Sequence, residues 1–296
     1  MMRSGGQPSA LLVRIMPAQR SLFTGRIPLT ATGRTLARTA ASLRRGGREA
    51  IASGLDLLFP PTCFCCDAPN LPQAEPGEAE LGPERINLCE TCRAALCHAG
   101  ACCQRCGLEV GPHVDPVAGC ARCRGERYAF ERVVHLGRYD GELRRCVLRM
   151  KNGAESPLAA AVARWLLHEC GDQLRALKAD VVVPIPMHWS RRAWRGSNSA
   201  DTLAEEIARG LSLPCAPWLV RRRRRTRPQT ELSPTRRRQN MRGAFSVRRH
   251  RDLAGARVLV VDDVMTTGST CSACARTLKR GGASWVGSAV VARAEP

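Results

Sequence analysis

Residues 258–270 read VLVVDDVMTTGST, and this stretch decides the fold. An apolar, β-branched run ends in two carboxylates, Asp262 and Asp263, and a small turn rich in hydroxyls and glycine follows. Such a run is typical of a strand buried on both faces of a parallel sheet, and the turn opens a helix predicted from about Gly268 to Arg280. The stretch therefore predicts a strand, a turn and a helix in succession.

The turn has the composition of an anion-binding loop. Backbone N–H groups at a helix N-terminus attract phosphate, and Gly268 lets the backbone approach an anion without a side-chain clash. Asp262 and Asp263 cannot hold phosphate because like charges repel, whereas carboxylates suit ribose hydroxyls and Mg²⁺. The alternative interpretation is a solvated strand end followed by an ordinary helix cap. The predicted phosphate donors are the backbone N–H groups of Thr266, Thr267, Gly268 and Ser269 together with the hydroxyls of Thr266, Thr267, Ser269 and Thr270.

Strands and helices alternate through the second half of the chain. Residues 180–186, DVVVPIP, and residues 285–292 have the composition of buried strands. Ser156 and Pro157 are typical of a helix start, and residues 199–210 are predicted to form another helix. This alternation indicates an α/β domain with a mostly parallel sheet flanked by helices, which we assign to residues 128–296.

Four C-x-x-C pairs lie before this domain, within residues 49–125. Each pair presents two thiolates on one side of a tight turn, and two pairs complete a tetrahedral four-sulfur zinc site. The first and second pairs are separated by 22 residues, and the third and fourth by 13, which suits zinc ribbons. The spacing predicts two structural zinc ions, with the first pair joining the second and the third joining the fourth. Cys65 and Cys102 adjoin the ligands and offer alternative registers. The predicted ligands are Cys63, Cys66, Cys89, Cys92, Cys103, Cys106, Cys120 and Cys123.

Composition argues against secretion and against a membrane span. The sixteen cysteines would suit a disulfide scaffold only in a short secreted chain, and no credible signal peptide is present. A spanning helix needs about 18 or more consecutive apolar residues, and no such run occurs. We therefore expect a cytoplasmic protein whose thiols are reduced or bound to metal.

The net charge of +20 is confined to two segments. Residues 1–50 contribute +8 and residues 221–251 contribute +12, so the rest of the chain is neutral. Residues 1–48 are predicted to form a disordered basic leader, unless they come from an over-long gene start. Blocks of like charge are often interaction segments.

The stretch VVDDVMTTGST resembles the phosphoribosyl pyrophosphate signature of type I phosphoribosyltransferases. LDLLFPPTC, the paired cysteines, GRYDGELRRCVLRMK, VVPIPMHWSRRAWRGSN and the stretch from Gln229 to Phe245 follow one another as in the ComF family of competence-associated proteins. This likeness covers roughly residues 53 to 293. It implies a type I phosphoribosyltransferase-like fold behind a double zinc ribbon, with phosphoribosyl pyrophosphate and Mg²⁺ as ligands.

The resemblance also assigns two loops. Arg191, Arg192 and Arg195 would neutralise pyrophosphate oxygens, the alternative being a solvated basic loop. Ser197 and Ser199 differ from the aromatic and amide residues that the family shows around the asparagine between them. Residues 226–245 resemble a mobile lid that excludes water from the reacting centre. The alternative interpretation, for the lid and for the adjoining run from Arg221 to Arg225, is a disordered arginine-rich loop. The lid residues that match are Gln229, Arg238, Asn240 and Phe245.

Two classes of function remain open from the sequence. An active phosphoribosyltransferase would use Asp262 and Asp263 at its catalytic centre while a nitrogen nucleophile attacks ribose C1, although the acceptor base cannot be named. The alternative is an accessory protein without catalysis that handles single-stranded DNA through its zinc module and arginine segments. A third interpretation has the zinc ribbons docking on a helicase or another competence protein. Aromatic residues make up 4% of the chain, so base stacking on the arginine segments is weakly supported.

Overall fold

The structure is a computed structural model that divides between Cys89 and Glu90 into two units. The larger unit contains all the helices and strands named below. The predicted leader, residues 1–48, lies outside the described residues. The structure describes residues 62–69, 86–97, 100–151, 156–188, 198–224, 240–248 and 253–295.

Four strands form a parallel sheet in the order β1-β6-β5-β2, and two further strands form an antiparallel pair, β3-β4. The parallel sheet confirms the predicted α/β class. The strands are β1 (Arg132–Arg138), β2 (Val181–Pro184), β3 (Val220–Arg222), β4 (Phe245–Val247), β5 (Arg257–Met265) and β6 (Trp285–Arg293).

Six described helices accompany the strands. The predicted helix starting at the Ser156-Pro157 pair is present, as are the helices predicted after Asn198 and in the stretch from Gly268. The helices are α1 (Glu90–Leu96), α2 (Ala121–Gly125), α3 (Gly141–Met150), α4 (Ser156–Ala176), α5 (Ser199–Gly210) and α6 (Ser269–Arg280).

The sheet is buried on both faces, which explains the apolar runs in its strands. In β5, Val258 and Val260 belong to one core cluster together with the buried side of α6 and the β3-β4 pair. Leu259 and Val261 alternate with them and point to the opposite face, as successive residues in a strand must. Helices α4 and α5 pack together, and α5 also packs on β2 and β5.

The carboxyl ends of the four parallel strands meet at one edge of the sheet. Asp262 and Asp263 lie at this end of β5, Arg293 ends β6, and Ile185 follows β2. The fold therefore collects, at one edge, residues that are far apart in sequence.

The β3-β4 pair was not predicted as strands. Arg221 and Arg222 lie in β3, whereas the sequence indicates a lid segment or a disordered arginine-rich loop here. Pairing with β4 orders them, because Val220 and Phe245 are buried against the core cluster that includes α6. None of the described helices combines the length and the apolarity that crossing a membrane requires.

Candidate functional site

Asp262 and Asp263 lie where the sequence placed them, at the carboxyl end of β5 between β2 and β6. An Asp263 carboxylate oxygen lies 3.5 Å from Nζ of Lys151 and accepts a hydrogen bond from the Ser199 hydroxyl at 3.3 Å. The Asp263 backbone N–H donates to Oδ1 of Asp262 at 3.0 Å. A cation and a hydroxyl from two other parts of the fold thus converge on the carboxylate pair.

The Asp262 carboxyl has an unusual pKa. Burial and the neighbouring Asp263 charge raise the pKa of Asp262 to about 8, and the positive charges of Lys151 and Arg222 act in the opposite direction. Two adjacent carboxyls with a cation on one side form a site whose protonation changes near neutral pH. A divalent cation would favour the ionised form, since its charge opposes the repulsion.

Gly268 gives the predicted phosphate loop its shape. Its backbone is left-handed, with φ of 72°, and it stands at the N-cap of α6, where its carbonyl accepts the Ser272 N–H at 2.8 Å. A Cβ at this position would lie 3.0 Å from the Tyr128 ring and 3.3 Å from the Phe130 ring. These two rings stack with centroids 4.8 Å apart, so glycine is required by both conformation and space.

The hydroxyls of the loop do not all have the same surroundings. Thr267 and Ser269 are buried, and their hydroxyl oxygens are 2.7 Å apart. The Ser269 backbone N–H also approaches the Thr267 hydroxyl at 3.4 Å. These contacts hold the turn in shape, so the backbone N–H groups are the part of the loop best suited to receive an anion.

Asn198 and Ser199 bring the start of α5 to the same edge. The buried Asn198 amide donates to the Ile185 carbonyl at 3.3 Å and to the Asp201 carboxylate at 2.9 Å. This anchors the end of the loop that precedes α5 directly after β2. Ser199 departs from the family pattern, yet it contacts the Asp263 carboxylate.

Two cationic side chains at this edge were not singled out from the sequence. Lys151 follows α3, and Arg222 lies in β3, where its guanidinium carbon is 5.7 Å from the Phe245 ring centroid and Nη2 contacts the Met241 sulfur at 3.7 Å. Lys151 is one of only three lysines in a chain whose other Lys and Arg positions are all arginine. This rarity was the one sequence feature that could have drawn attention to it. No sequence feature distinguishes Arg222 from the four other arginines of the same run.

Several predicted ligands cannot be placed. Asn240 is described, directly before the buried Met241, and Phe245 begins β4. The remaining residues of the pyrophosphate loop and lid lie outside the described residues: Arg191, Arg192, Arg195, Gln229 and Arg238.

The eight predicted cysteine ligands form two groups, paired as the sequence indicated. Within each group the four sulfur atoms lie within 4.8 Å of one another. Sulfur pairs are separated by 3.7 Å for Cys66 and Cys89 and by 3.5 Å for Cys106 and Cys120. A disulfide requires roughly 2 Å, whereas a tetrahedron with metal–sulfur bonds of about 2.3 Å has edges of about 3.8 Å. Both groups therefore fit one tetrahedral metal ion each.

The leading C-x-x-C turns of the two groups share one backbone geometry. The N–H of Cys63 donates to the carbonyl five residues later at 2.8 Å, and Cys103 makes the equivalent bond at 2.8 Å. The left-handed residue of each turn is Asp67, with φ of 61°, or Gly107, with φ of 72°. Burial acts to raise the pKa of the Cys103 thiol, but backbone hydrogen bonds outweigh it and lower the pKa to about 7. The same balance lowers the pKa of Cys63 to about 7.

Comparison with known proteins yields relatives over most of the chain. The DNA utilization protein YhgH of Salmonella typhi is 32% identical over 234 residues, which are 78% of this chain and 96% of the relative. The protein of the same name from Escherichia coli (strain K12) is 31% identical over the same shares. Competence protein F of Haemophilus influenzae is 30% identical over 65% of this chain and 84% of its own length.

The phosphoribosyl transferase domain family matches residues 197–295, the part that contains α5, β5, α6 and β6. Among solved structures, the glutamine phosphoribosylpyrophosphate (PRPP) amidotransferase from B. subtilis, complexed with ADP and GMP, is 23% identical with a TM-score of 0.29. The match covers 48% of this chain and 26% of that chain, so this chain spans about a quarter of its length.

The fold, the phosphoribosyl transferase domain match and the curated relatives agree with the resemblance seen in the sequence. Since the Salmonella typhi relative is 32% identical and matches 78% of the chain, this chain belongs to the ComF family of competence-associated proteins.

Proposed function

We propose that this protein binds phosphoribosyl pyrophosphate with Mg²⁺ at the Asp262-Asp263 pair and the loop that follows, and transfers the phosphoribosyl group to a nitrogenous acceptor. The names of its relatives, DNA utilization protein and competence protein, support a role in the uptake or use of DNA. We further propose that the protein acts in the cytoplasm and that residues 49–125 form the zinc module and residues 128–296 the transferase domain.

One observation carries the proposal. Two carboxylates near the end of a parallel strand directly precede the turn that opens α6, and Gly268 gives this turn its left-handed backbone. The carboxylates suit the ribose hydroxyls and the N–H groups of the turn suit the 5′-phosphate, so one ligand satisfies both. Lys151 lies half-buried beside Asp263 at the same edge, and its charge suits a pyrophosphate oxygen.

In the proposed reaction, the bond between ribose C1 and the pyrophosphate oxygen breaks and a bond between C1 and the acceptor nitrogen forms. Pyrophosphate leaves with the bonding electron pair, and the acceptor nitrogen loses its proton to water or to a carboxylate. Asp262 and Asp263 hold the ribose in place and stabilise the positive charge that develops on it, so catalysis comes mainly from positioning and charge.

Magnesium, when bound, would neutralise the departing pyrophosphate. The carboxylate oxygens of Asp262 and Asp263 are the ligands of the described residues that fit it, directly or through water. The two cysteine groups fit structural zinc, because four thiolates close the coordination sphere and leave no position for chemistry.

The test is a calorimetric titration of the zinc-replete full chain with phosphoribosyl pyrophosphate and Mg²⁺. We expect a dissociation constant in the micromolar range, which corresponds to a standard binding free energy of about −8 kcal/mol. The double variant Asp262→Asn with Asp263→Asn should lose binding, because it lacks the charges that hold the ribose and the metal. The charge-matched control is Asp172→Asn with Glu205→Gln, two exposed acids away from this edge, which should bind as the wild type does.

The outcomes separate the two parts of the proposal. Unchanged binding by the Asp262 and Asp263 double variant would refute the site assignment while leaving ligand binding intact. Absence of binding by the wild type would refute the phosphoribosyl pyrophosphate proposal. If binding is found, release of pyrophosphate on adding nitrogenous bases identifies the acceptor.

A second candidate function is supported by the β3-β4 pair and its flanks, which expose arginines without an intervening acid in the described part of the segment. In this candidate the protein is an accessory factor without catalysis that binds single-stranded DNA electrostatically and docks on a helicase or another competence protein. The exposed arginines are Arg221, Arg223, Arg224, Arg242 and Arg248.

A further inference from the structure

Arg293 ends β6 with its side chain buried, 2% exposed. Its Nε donates to the Cys106 carbonyl at 2.6 Å, and its Nη1 donates to the Met265 carbonyl at 2.9 Å. The same Nη1 also contacts the carbonyls of Thr266 and Ala294. One guanidinium thus joins the second cysteine group to the strand end that leads into the phosphate loop.

On one side, Arg293 contacts the turn that carries two metal ligands. Cys106 belongs to the second cysteine group, and a Cβ on the following residue, Gly107, would lie 3.3 Å from Cδ of Arg293 and 2.9 Å from the His135 ring. The turn is also bound to β1, since the Val133 N–H donates to the Gln104 carbonyl at 2.9 Å. The position of the Arg293 side chain therefore depends on the shape of this turn.

On the other side, Arg293 contacts the carbonyls of two successive peptide groups, the first of which also accepts the Ala294 backbone N–H at 2.9 Å. The described chain has no cis peptide bonds, and in a planar trans peptide the C=O and the following N–H point in opposite directions. Holding the carbonyls of Met265 and Thr266 therefore directs the N–H groups of Thr266 and Thr267 away from Arg293. These two N–H groups are the first donors of the predicted phosphate loop.

Burial of the Arg293 guanidinium costs hydration free energy, more than a neutral side chain joining the same two loops would lose. The four hydrogen-bond partners of the guanidinium are all carbonyls, and its Nη2 has no hydrogen-bond partner among the described residues. A neutral side chain of similar length would fill the space with a smaller loss of hydration. What the guanidinium adds is donors pointing in two directions at a fixed separation, which neither lysine nor an apolar residue supplies.

From these contacts we infer that Arg293 is a positioning residue through which the second metal site controls the phosphate loop. With metal bound, the turn at Cys103 and Cys106 is rigid, and Arg293 holds the amides of Thr266 and Thr267 ready for an anion. Without the metal, the turn at Cys103 and Cys106 becomes more mobile, and the phosphate loop loses its preferred orientation. The link to phosphoribosyl pyrophosphate rests on the proposed function. The coupling between the Cys106 turn and the phosphate loop is independent of it.

The experiment compares Arg293→Lys with the wild type, both as zinc-loaded full chains. Lysine keeps the charge but has a single donor nitrogen in place of the separate Nε and Nη1 atoms that reach Cys106 and Met265. We expect two zinc ions per chain and a cooperative melt in both proteins, with phosphoribosyl pyrophosphate binding weakened about tenfold or more in the variant. Amide hydrogen exchange of residues 265–270, measured without ligand, should become faster in the variant. Arg280→Lys, at the exposed far end of α6, is the matched control.

A second comparison changes a ligand of the second metal site and leaves Arg293 intact. Cys120→Ser removes one ligand of the second group at a residue that does not itself contact Arg293 in the described structure, and Cys102→Ser changes a neighbouring cysteine outside the group. We expect Cys120→Ser to lose one zinc ion and to speed exchange of residues 265–270, whereas Cys102→Ser changes neither.

Each result decides the inference. Unchanged loop exchange in Arg293→Lys, or in Cys120→Ser after loss of its metal, would overturn it. If the wild type fails to bind phosphoribosyl pyrophosphate, the proposed function fails, yet the exchange data still establish or refute the coupling. Faster exchange in both variants, with intact control proteins, would establish it.

Discussion

Asp262 differs from an ordinary aspartate because the fold places it in a partly buried position beside a second carboxylate. Its pKa of about 8 means that the folded protein, without Mg²⁺, keeps the proton that an unfolded aspartate releases near about pH 4. Unfolding therefore releases a proton between about pH 4 and pH 8, and the free energy of unfolding contributed by Asp262 falls as the pH rises through this window. The carboxylate pair is maintained at a cost in stability, as is common at functional sites.

Replacing Asp262 by Asn removes this titration. We expect Asp262→Asn to gain stability relative to the wild type as the pH rises, by about 1 kcal/mol or more between about pH 5 and pH 8. Urea unfolding of the zinc-loaded, magnesium-free proteins at several pH values measures it. Asp172→Asn, at a fully exposed side chain, should leave the pH dependence as in the wild type. Identical slopes for Asp262→Asn and the wild type would contradict the assigned pKa.

At the scale of the element, the unit formed by β5, the turn and α6 depends on one glycine. Gly268 has a left-handed backbone, and two aromatic rings occupy the space that a side chain would need. Gly255 has a similar φ of 77°, but a Cβ there would meet nothing within 4 Å. The two glycines therefore separate the cost of conformation from the cost of crowding.

Replacing each glycine by alanine should have unequal effects. Gly255→Ala should lower the free energy of unfolding by about 1 kcal/mol, the cost of a left-handed backbone for a residue with a Cβ. Gly268→Ala should lower it by about 2–4 kcal/mol, because crowding against Tyr128 and Phe130 adds to that cost, and it should also weaken phosphoribosyl pyrophosphate binding. Thermal or urea unfolding and calorimetry measure the two effects. Equal destabilisation by both substitutions would show that the aromatic pair yields without cost.

At the scale of the whole molecule, the distribution of charge matters more than its total. The net charge of +20 arises from two segments, and the second of these includes the β3-β4 pair, with Arg222 close enough to influence Asp262. The same arginine segment thus contributes to the edge with the carboxylates and to a basic surface. Both the transferase and the DNA-binding candidates draw on it.

The second candidate makes a whole-molecule prediction that depends on salt. Electrostatic binding of single-stranded DNA should weaken steeply between roughly 50 and 200 mM salt, because each arginine–phosphate contact releases counterions. Arg221→Gln with Arg223→Gln should weaken binding and reduce the slope of log K against log salt by about 1–2. The control is Arg127→Gln with Arg280→Gln, two exposed arginines outside the segment. Affinity that is insensitive to salt would exclude an arginine-based mechanism.

The regular elements were predictable to the extent that local pattern decides them. The helix over residues 199–210 and the buried strand within DVVVPIP were recognised because capping residues and apolar runs act over a few neighbours. The strands β3 and β4 were not, because each has three residues and becomes a strand only by pairing across more than twenty residues. Strands of three residues are too short to show a periodic signal of their own.

The sequence by itself determined the family, the α/β class, the phosphate-loop motif and the four C-x-x-C pairs, since each depends on residue types at short spacing, whereas the predicted pairing of the cysteines was confirmed only by the structure. Only the tertiary structure decided which distant side chains face that motif. Lys151 and Ser199 meet Asp263, and Arg293 joins the Cys106 turn to the loop, through contacts that span up to 187 residues. The physical reason is that parallel strands bring their carboxyl ends to one edge whatever their separation in sequence, and neighbours at that edge leave no local pattern.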